Sequence, residues 1–395
     1  MMKNLFIYII ALSIFGLASC RKDFQEIAAV QVTLQLDFPD NYVDGSIAKN
    51  IPVSIKNTIT GQIVSFISDD RGLVTADLIP GTYSVIASKS FSAAEANILT
   101  GYEQESFVNA NVTPLIIDGP KVVAIKLNGS RSGGLVIREY YYSGVPSAYF
   151  YDLFIEIYNN SNADIRVDSL YLGNTKTAST TAYGFTKYTQ DSVYLAQVFM
   201  VPNEGSPRFL KPGESLIVAM DGINHKSDPL GNANSPVDLG PGVADYETFW
   251  SYSAKELDAP DVPNLTHVYA SSTSGFDWLP GLGGCGLVIF NTADFDKLPV
   301  MKEPGTTAAT QFKAIPTKDI IDGLETVTNS NVQATAKRLP IAIDAGMTTV
   351  GAMYNGKSVR RKIKSVVDGR TIFVDTNNSS ADFEVNSTPS PRKWN

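Results

Sequence analysis

Residues 30–38, VQVTLQLDF, alternate without a break: Val30, Val32, Leu34, Leu36 and Phe38 are apolar, and Gln31, Thr33, Gln35 and Asp37 separate them. Successive side chains of a strand point to opposite faces, so this stretch buries one face and wets the other. A helix, with its period of 3.6, cannot use that pattern. Shorter runs of the same kind follow at IPVSI (51–55), IVSFI (63–67), TYSVIAS (82–88) and VVAIKL (122–127). Thr60-Gly61, Asp70-Arg71-Gly72 and Pro80-Gly81 supply turns between them. Thirty glycines, 21 prolines and 10% aromatic residues against 18% charged suit a turn-rich all-β protein. At 395 residues the chain is long for one core, so two domains are expected.

The first twenty residues read MMKNLFIYIIALSIFGLASC. Lys3 precedes an apolar run, Leu5–Leu17, that is too short to cross a bilayer, which takes roughly 20 apolar residues. It reads as a signal-peptide core. Leu17-Ala18-Ser19-Cys20 resembles the bacterial lipobox, which implies cleavage after residue 19 and a lipid anchor on Cys20. Lys22-Asp23 resembles in part the export signal of surface lipoproteins in Bacteroidota. The expectation is an outer-membrane lipoprotein exposed on the cell surface, with the periplasmic face as the alternative. Without residues 1–19 the chain is one unit more negative than its formal −8. An acidic surface forgoes the counterion release that drives nucleic-acid binding, so no such partner is expected. Cys285 is the only other cysteine, which leaves no structural disulfide and a thiol expected to be buried.

The stretch DDRGLVTADLIPGTYSVIAS (69–88) resembles small β-sandwich modules of the carboxypeptidase-regulatory and collagen-adhesin-repeat type. That resemblance, over about 27–128, implies a small transthyretin- or immunoglobulin-like spacer. Residues 20–26 would be a tether, and Asn128–Gly134, NGSRSGG, reads as a linker. Beyond it, LVIRE (135–139), FIEIYN (154–159), IRVDSLYL (165–172), LKPGESLIVA (210–219), GCGLVIFN (284–291) and DTNNSSADFEVNSTPSP (375–391) resemble the lamin-tail domain. The resemblance implies an immunoglobulin-like sandwich over 134–395, interrupted by an insertion at about 220–283. The whole chain is similar to a Bacteroidota outer-membrane lipoprotein family with this tail domain, often encoded beside TonB-dependent receptors. Two tripeptides, Asp168-Ser169-Leu170 and Asp191-Ser192-Val193, resemble the O-glycosylation sequon of the same bacteria.

GAMYNGKS (351–358) matches G-x-x-x-x-G-K-S, the loop that cradles nucleotide phosphates. That loop needs a helix after it, whereas Val359, Ile363, Val366 and Val367 favour strand. Asn355-Gly356 is expected instead to turn a β-hairpin between TTVGAMY and KSVRRKI, and no nucleotide is expected. GLGGCG (281–286) matches G-x-G-x-x-G but leads into the strand LVIF, so it reads as a glycine-rich turn. Asp221, His225 and Asp228 could meet at a cation, as could Asp37, Asp40 and Asp44, but neither set has metal-site spacing. No cofactor, metal or catalytic residue is expected.

Aromatic residues carry what functional signal remains. Tyr140–Tyr142 and Tyr149–Tyr151 flank a short SGVPSA loop, and the 220–283 segment holds Phe249, Trp250, Tyr252, Phe276 and Trp278. Rings on loops over a rigid sandwich make binding hot spots, and they equally supply a small core for a long loop. Tyr141, Tyr149, Tyr151, Trp250, Tyr252 and Trp278 are the candidate contacts. The expected function is a non-enzymatic binding accessory to a TonB-dependent uptake receptor. The alternative is a stand-alone surface adhesin or structural protein that binds glycan or matrix.

Overall fold

A computed structural model describes residues 27–394 apart from 40, 41, 44, 101–105, 132–133, 178–180, 204, 206 and 333. The signal peptide, Cys20 and the tether lie outside the described residues, as do Asp40 and Asp44. The protein is an all-β, multi-sandwich structure. Among the described residues no helix is long and apolar enough to cross a membrane.

The N-terminal sheets are those the alternation demands. Val30–Asp37 lies between Leu73–Leu78 and Lys121–Lys126, antiparallel to the first and parallel to the second. The facing sheet runs Ile63–Ile67, Pro52–Asn57, Gly81–Phe91, Ser106–Ile117, Asn128–Arg131. Val32, Leu34 and Leu36 from one sheet meet Val53, Ile55, Val85 and Val108 from the other in a single core. Asn128–Arg131, expected to open the linker, is a strand instead, paired with Ser106–Asn109. The sheet's edge there offered unpaired backbone groups, and four more residues of ladder satisfy them. This unit also touches the rest of the chain: Asn111 Nδ2 donates to the Ala345 carbonyl at 3.0 Å.

Residues beyond Gly134 form three stacked layers. A six-stranded sheet runs Tyr246–Glu247, Ser215–Ala219, Phe154–Asn159, Leu135–Tyr141, Ser358–Arg361, Phe383–Asn386. A five-stranded sheet runs Thr266–Ala270, Gln197–Met200, Tyr171–Asn174, Gly286–Phe290, Ile320–Glu325. Ile137, Ile155, Ile157 and Val218 meet Leu172, Phe199, Leu287 and Ile289 between them. A third sheet of Ser192–Leu195, Gln311–Pro316 and Val300–Lys302 covers the far side, where Val193, Leu195 and Ile315 pack on Val198, Val288 and Phe290. GLVIF is therefore buried at every position. A continuous apolar run is what a strand covered on both faces requires. Cys285 just before it is fully buried, and burial pushes its thiol up to about 12, so it is inert packing.

Two buried arginines of the six-stranded sheet, Arg138 and Arg361, gather buried acids. A bulge beside Ile157 sets Glu139 directly opposite Glu156. Like charges facing each other across a ladder repel. Arg138 answers both, bonding Glu139 and, at 2.9 Å, Glu156. Glu156 also accepts the Arg392 amide, a structural duty. Arg361 does the same for Asp322, Asp375 and Asp382.

The GAMYNGKS segment is neither a phosphate loop nor the expected hairpin. Ser358 begins a strand, not a helix, and its hydroxyl bonds buried Glu139. No strand runs directly into Asn355: its side chain caps the Val350 carbonyl at 2.9 Å, and Tyr354 takes the left-handed φ of +56°. The loop is laid on Ser143-Gly144, whose carbonyls accept the Tyr354 and Gly356 amides. The true hairpin lies just downstream. Asp368 and Gly369, both left-handed at +50° and +79°, join Ile363–Val367 to Arg370–Phe373.

Candidate functional site

Segment 220–283 is woven into the sandwich. Its Val237, Leu239, Ala244, Ala259 and Val262 cover Tyr141, Phe154, Ile217 and Ala219 on the outer face of the six-stranded sheet. Thr266–Ala270 then forms the edge of the five-stranded sheet, and Trp250, Leu265 and Trp278 enter the main core. Both indole N–H groups are satisfied: Trp278 donates to Asn174 Oδ1 at 2.9 Å and Trp250 to the Gly275 carbonyl at 3.1 Å. Tyr141 is equally buried, its hydroxyl donating to Asp152 at 3.0 Å. Burial corrects the contact role expected of Tyr141, Trp250 and Trp278. They fill space that a long segment crossing two sheets must fill.

The other candidates reach the surface. Tyr149, Phe150 and Tyr151 are half-buried, Phe276 is 37% exposed and Tyr252 54%. Tyr149 and Tyr151 meet edge-on at 5.5 Å between centroids, Tyr151 stacks on Phe150 at 4.8 Å, and Phe150 reaches Phe276 at 6.2 Å. The four rings form a connected strip. Ser147 and Ala148, both with positive φ, turn the chain sharply into it, and a Val145–Tyr149 bridge closes that turn. Tyr252 leans on buried Trp250. Sequence reasoning counted Phe150 and Phe276 among the aromatic residues of these stretches but left both out of the candidate contacts.

His225 anchors the strip and is not a ligand. Its Nε2 lies 3.0 Å from the Asp221 carbonyl, which can only accept, and its Nδ1 lies 2.6 Å from the Tyr149 hydroxyl. Burial drives its pKa down to about 4, so the ring is neutral and both nitrogens are committed. Asp228 meanwhile accepts the Leu230 amide. Asp221, His225 and Asp228 thus do not converge on a cation.

A different set of carboxylates does converge. Asp221, Glu256 and Asp277 each place one oxygen within 4.8 Å of the other two. Burial, reinforced by the neighbouring negative charges, pushes Asp221 and Asp277 far above the carboxylate range. Glu256 rises to about 7 and nearby Glu247 to about 8, burial again leading. Glu247 is already occupied, accepting the Gly222 amide at 2.6 Å and the Ala259 amide at 2.7 Å.

The stacked β-sheets thus carry a partly exposed aromatic strip and a convergent set of carboxylates. A family model described as "Protein of unknown function (DUF4876)" matches residues 211–390, a span that holds His225, Phe276 and all the clustered carboxylates. The chain is similar to a solved DUF4876 family protein from Bacteroides thetaiotaomicron VPI-5482 at 26% identity and a TM-score of 0.59, over 92% of this chain and 97% of that one. A DUF3823 family protein from Parabacteroides merdae ATCC 43184 shares 9% identity at a TM-score of 0.18, over 39% and 69%. A candidate adhesin from Bacteroides ovatus ATCC 8483 shares 11% at 0.21, over 76% and 87%. Scores that low carry neither fold nor function across. No curated protein matches the chain significantly.

Proposed function

We infer that this is a non-enzymatic, lipid-anchored protein of the outer membrane. It holds an aromatic contact face away from the bilayer and works as a binding accessory to a TonB-dependent receptor. The observation that carries the reading is the strip Tyr149–Tyr151–Phe150–Phe276. Its rings are partly exposed yet held by Tyr149's bond to a buried histidine. Exposed rings that are already ordered lose little entropy on binding, which is what a protein hot spot needs. The lipobox-like Cys20 supports the anchor, and the likeness of 134–395 to lamin-tail domains supports a binding scaffold without catalysis. The N-terminal sandwich, at 27–131 with its last strand included, serves as the spacer.

Crosslinking in intact cells, followed by purification of the tagged protein and mass spectrometry, tests this reading. A TonB-dependent receptor should be recovered with the native chain and lost with Tyr252→Ala/Phe276→Ala. Recovery of no receptor, with glycan or matrix retained on an array, would replace the accessory role with that of a stand-alone adhesin.

A further inference from the structure

Among the described residues, three other buried acid sites are each answered by a cation. Glu139 and Glu156 share Arg138, Asp322 and Asp382 share Arg361, and Glu325 has Lys337. Asp221, Glu256 and Asp277 break that habit. No described Lys or Arg forms an ion pair with any of them. Asp221 is 4% exposed, and its Oδ1 is sealed from solvent without a hydrogen-bond partner. Both oxygens of half-buried Glu256 are likewise sealed from solvent, with the Trp250 backbone amide beside them. Three carboxylates crowded together out of water require a counter-charge or protons.

We propose that Asp221, Glu256 and Asp277 form a calcium-binding site. Calcium takes oxygen ligands at roughly 2.3–2.6 Å, so two ligands of one ion stand at most about 5 Å apart. The three oxygens, all within 4.8 Å of one another, meet that limit. Three carboxylates offer up to about six oxygens, near the low end of calcium's usual coordination. The donors are hard, with neither imidazole nor thiolate among them, which disfavours zinc. Glu247 lies nearby with both oxygens already held by amides, so it is not counted as a ligand. The ligands come from well-separated parts of the 220–283 segment, at Asp221, Glu256 and Asp277. Calcium would therefore clasp that segment beneath the aromatic strip. This inference does not depend on the identity of any partner.

Thermal unfolding of the purified protein after EGTA treatment, with and without added calcium chloride, tests the proposal. Affinity typical of extracellular modules predicts a rise in Tm of roughly 5 °C when calcium exceeds its Kd about a hundredfold. EGTA should reverse the rise, and potassium chloride at matched ionic strength should not reproduce it. Glu256→Gln and Asp277→Asn remove charge without volume. Each should fold at least as well without calcium and lose the shift. Absence of any shift in the native protein, or a shift kept by both variants, would overturn the site. If one variant fails to fold, the other decides.

Discussion

The Tyr149 hydroxyl donates to Nδ1 of His225 across 2.6 Å, joining a surface ring strip to the buried base of the 220–283 segment. The bond assigns the histidine's tautomer: Nε2 carries the proton and passes it toward the Asp221 carbonyl at 3.0 Å. Tyr149→Phe leaves Nδ1 buried without a donor. It should cost about 1–3 kcal/mol in urea unfolding, more than loss of an exposed hydroxyl would.

The two histidines give a pH signature. His225 should stay neutral down to about pH 4, and half-buried His267 should also titrate below 6.5, burial being the main cause in both. The unfolded chain takes up a proton near pH 6.5 that folded His225 refuses. Its contribution to stability is therefore level above 6.5 and falls as pH drops toward 4. Asp228 and Asp238 draw its pKa upward only weakly, and Tyr149 and the Asp221 carbonyl complete its surroundings. Buried Asp152, raised to about 6, works in the opposite sense, its stabilising share present at low pH and lost as pH climbs through 6. Ring-nitrogen chemical shifts followed from pH 8 to 4 read the histidines separately from that carboxyl.

Arg138→Met should be among the most damaging single changes. It leaves Glu139 facing Glu156 with no cation between them. Breaking a buried ion pair from one side costs about 3–5 kcal/mol, which denaturant midpoints would register. Adding Glu139→Gln and Glu156→Gln to that variant should recover much of the loss.

The aromatic residues should divide by burial. Trp250→Ala and Trp278→Ala each empty core space and should cost about 3–5 kcal/mol. Tyr252→Ala and Phe276→Ala should change stability by under about 1 kcal/mol, because both rings are already open to solvent. Thermal melts of the four variants make the comparison.

Magnesium ATP at millimolar concentration should leave Tm unchanged. The Lys357 amide is spent on Ser143 Oγ at 3.1 Å, and Ser358 is buried against Glu139. A nucleotide-dependent shift that disappears in Lys357→Ala would reinstate the phosphate-loop reading.

Period and composition made the strands legible, because alternation in VQVTLQLDF and continuity in GLVIF report one-sided and two-sided burial directly. Turn chemistry was legible only in part. Asn355-Gly356 and Asp368-Gly369 are equally good hairpin turns by residue type, yet only the second has a strand on each side. The first is held by the Val350 carbonyl, and the Val350 amide in turn donates to the Tyr142 hydroxyl, contacts that no local rule supplies. Trp250 and Tyr252 lie two positions apart in one loop, and only tertiary packing makes one core and the other surface. The carboxylate cluster was hidden for a related reason. Its members share no spacing motif, whereas the compact Asp221-Gly-Ile-Asn-His225 run drew attention to a histidine that is fully hydrogen-bonded.

The ring strip is proposed as the face that meets a receptor. A photoreactive phenylalanine analogue placed at Phe276, and separately at exposed Phe209 away from the strip, tests it in living cells. A covalent adduct with a TonB-dependent receptor is expected from position 276 and none from 209. Adducts from 209 alone, or none from 276 with the protein folded and at the outer membrane, would contradict it.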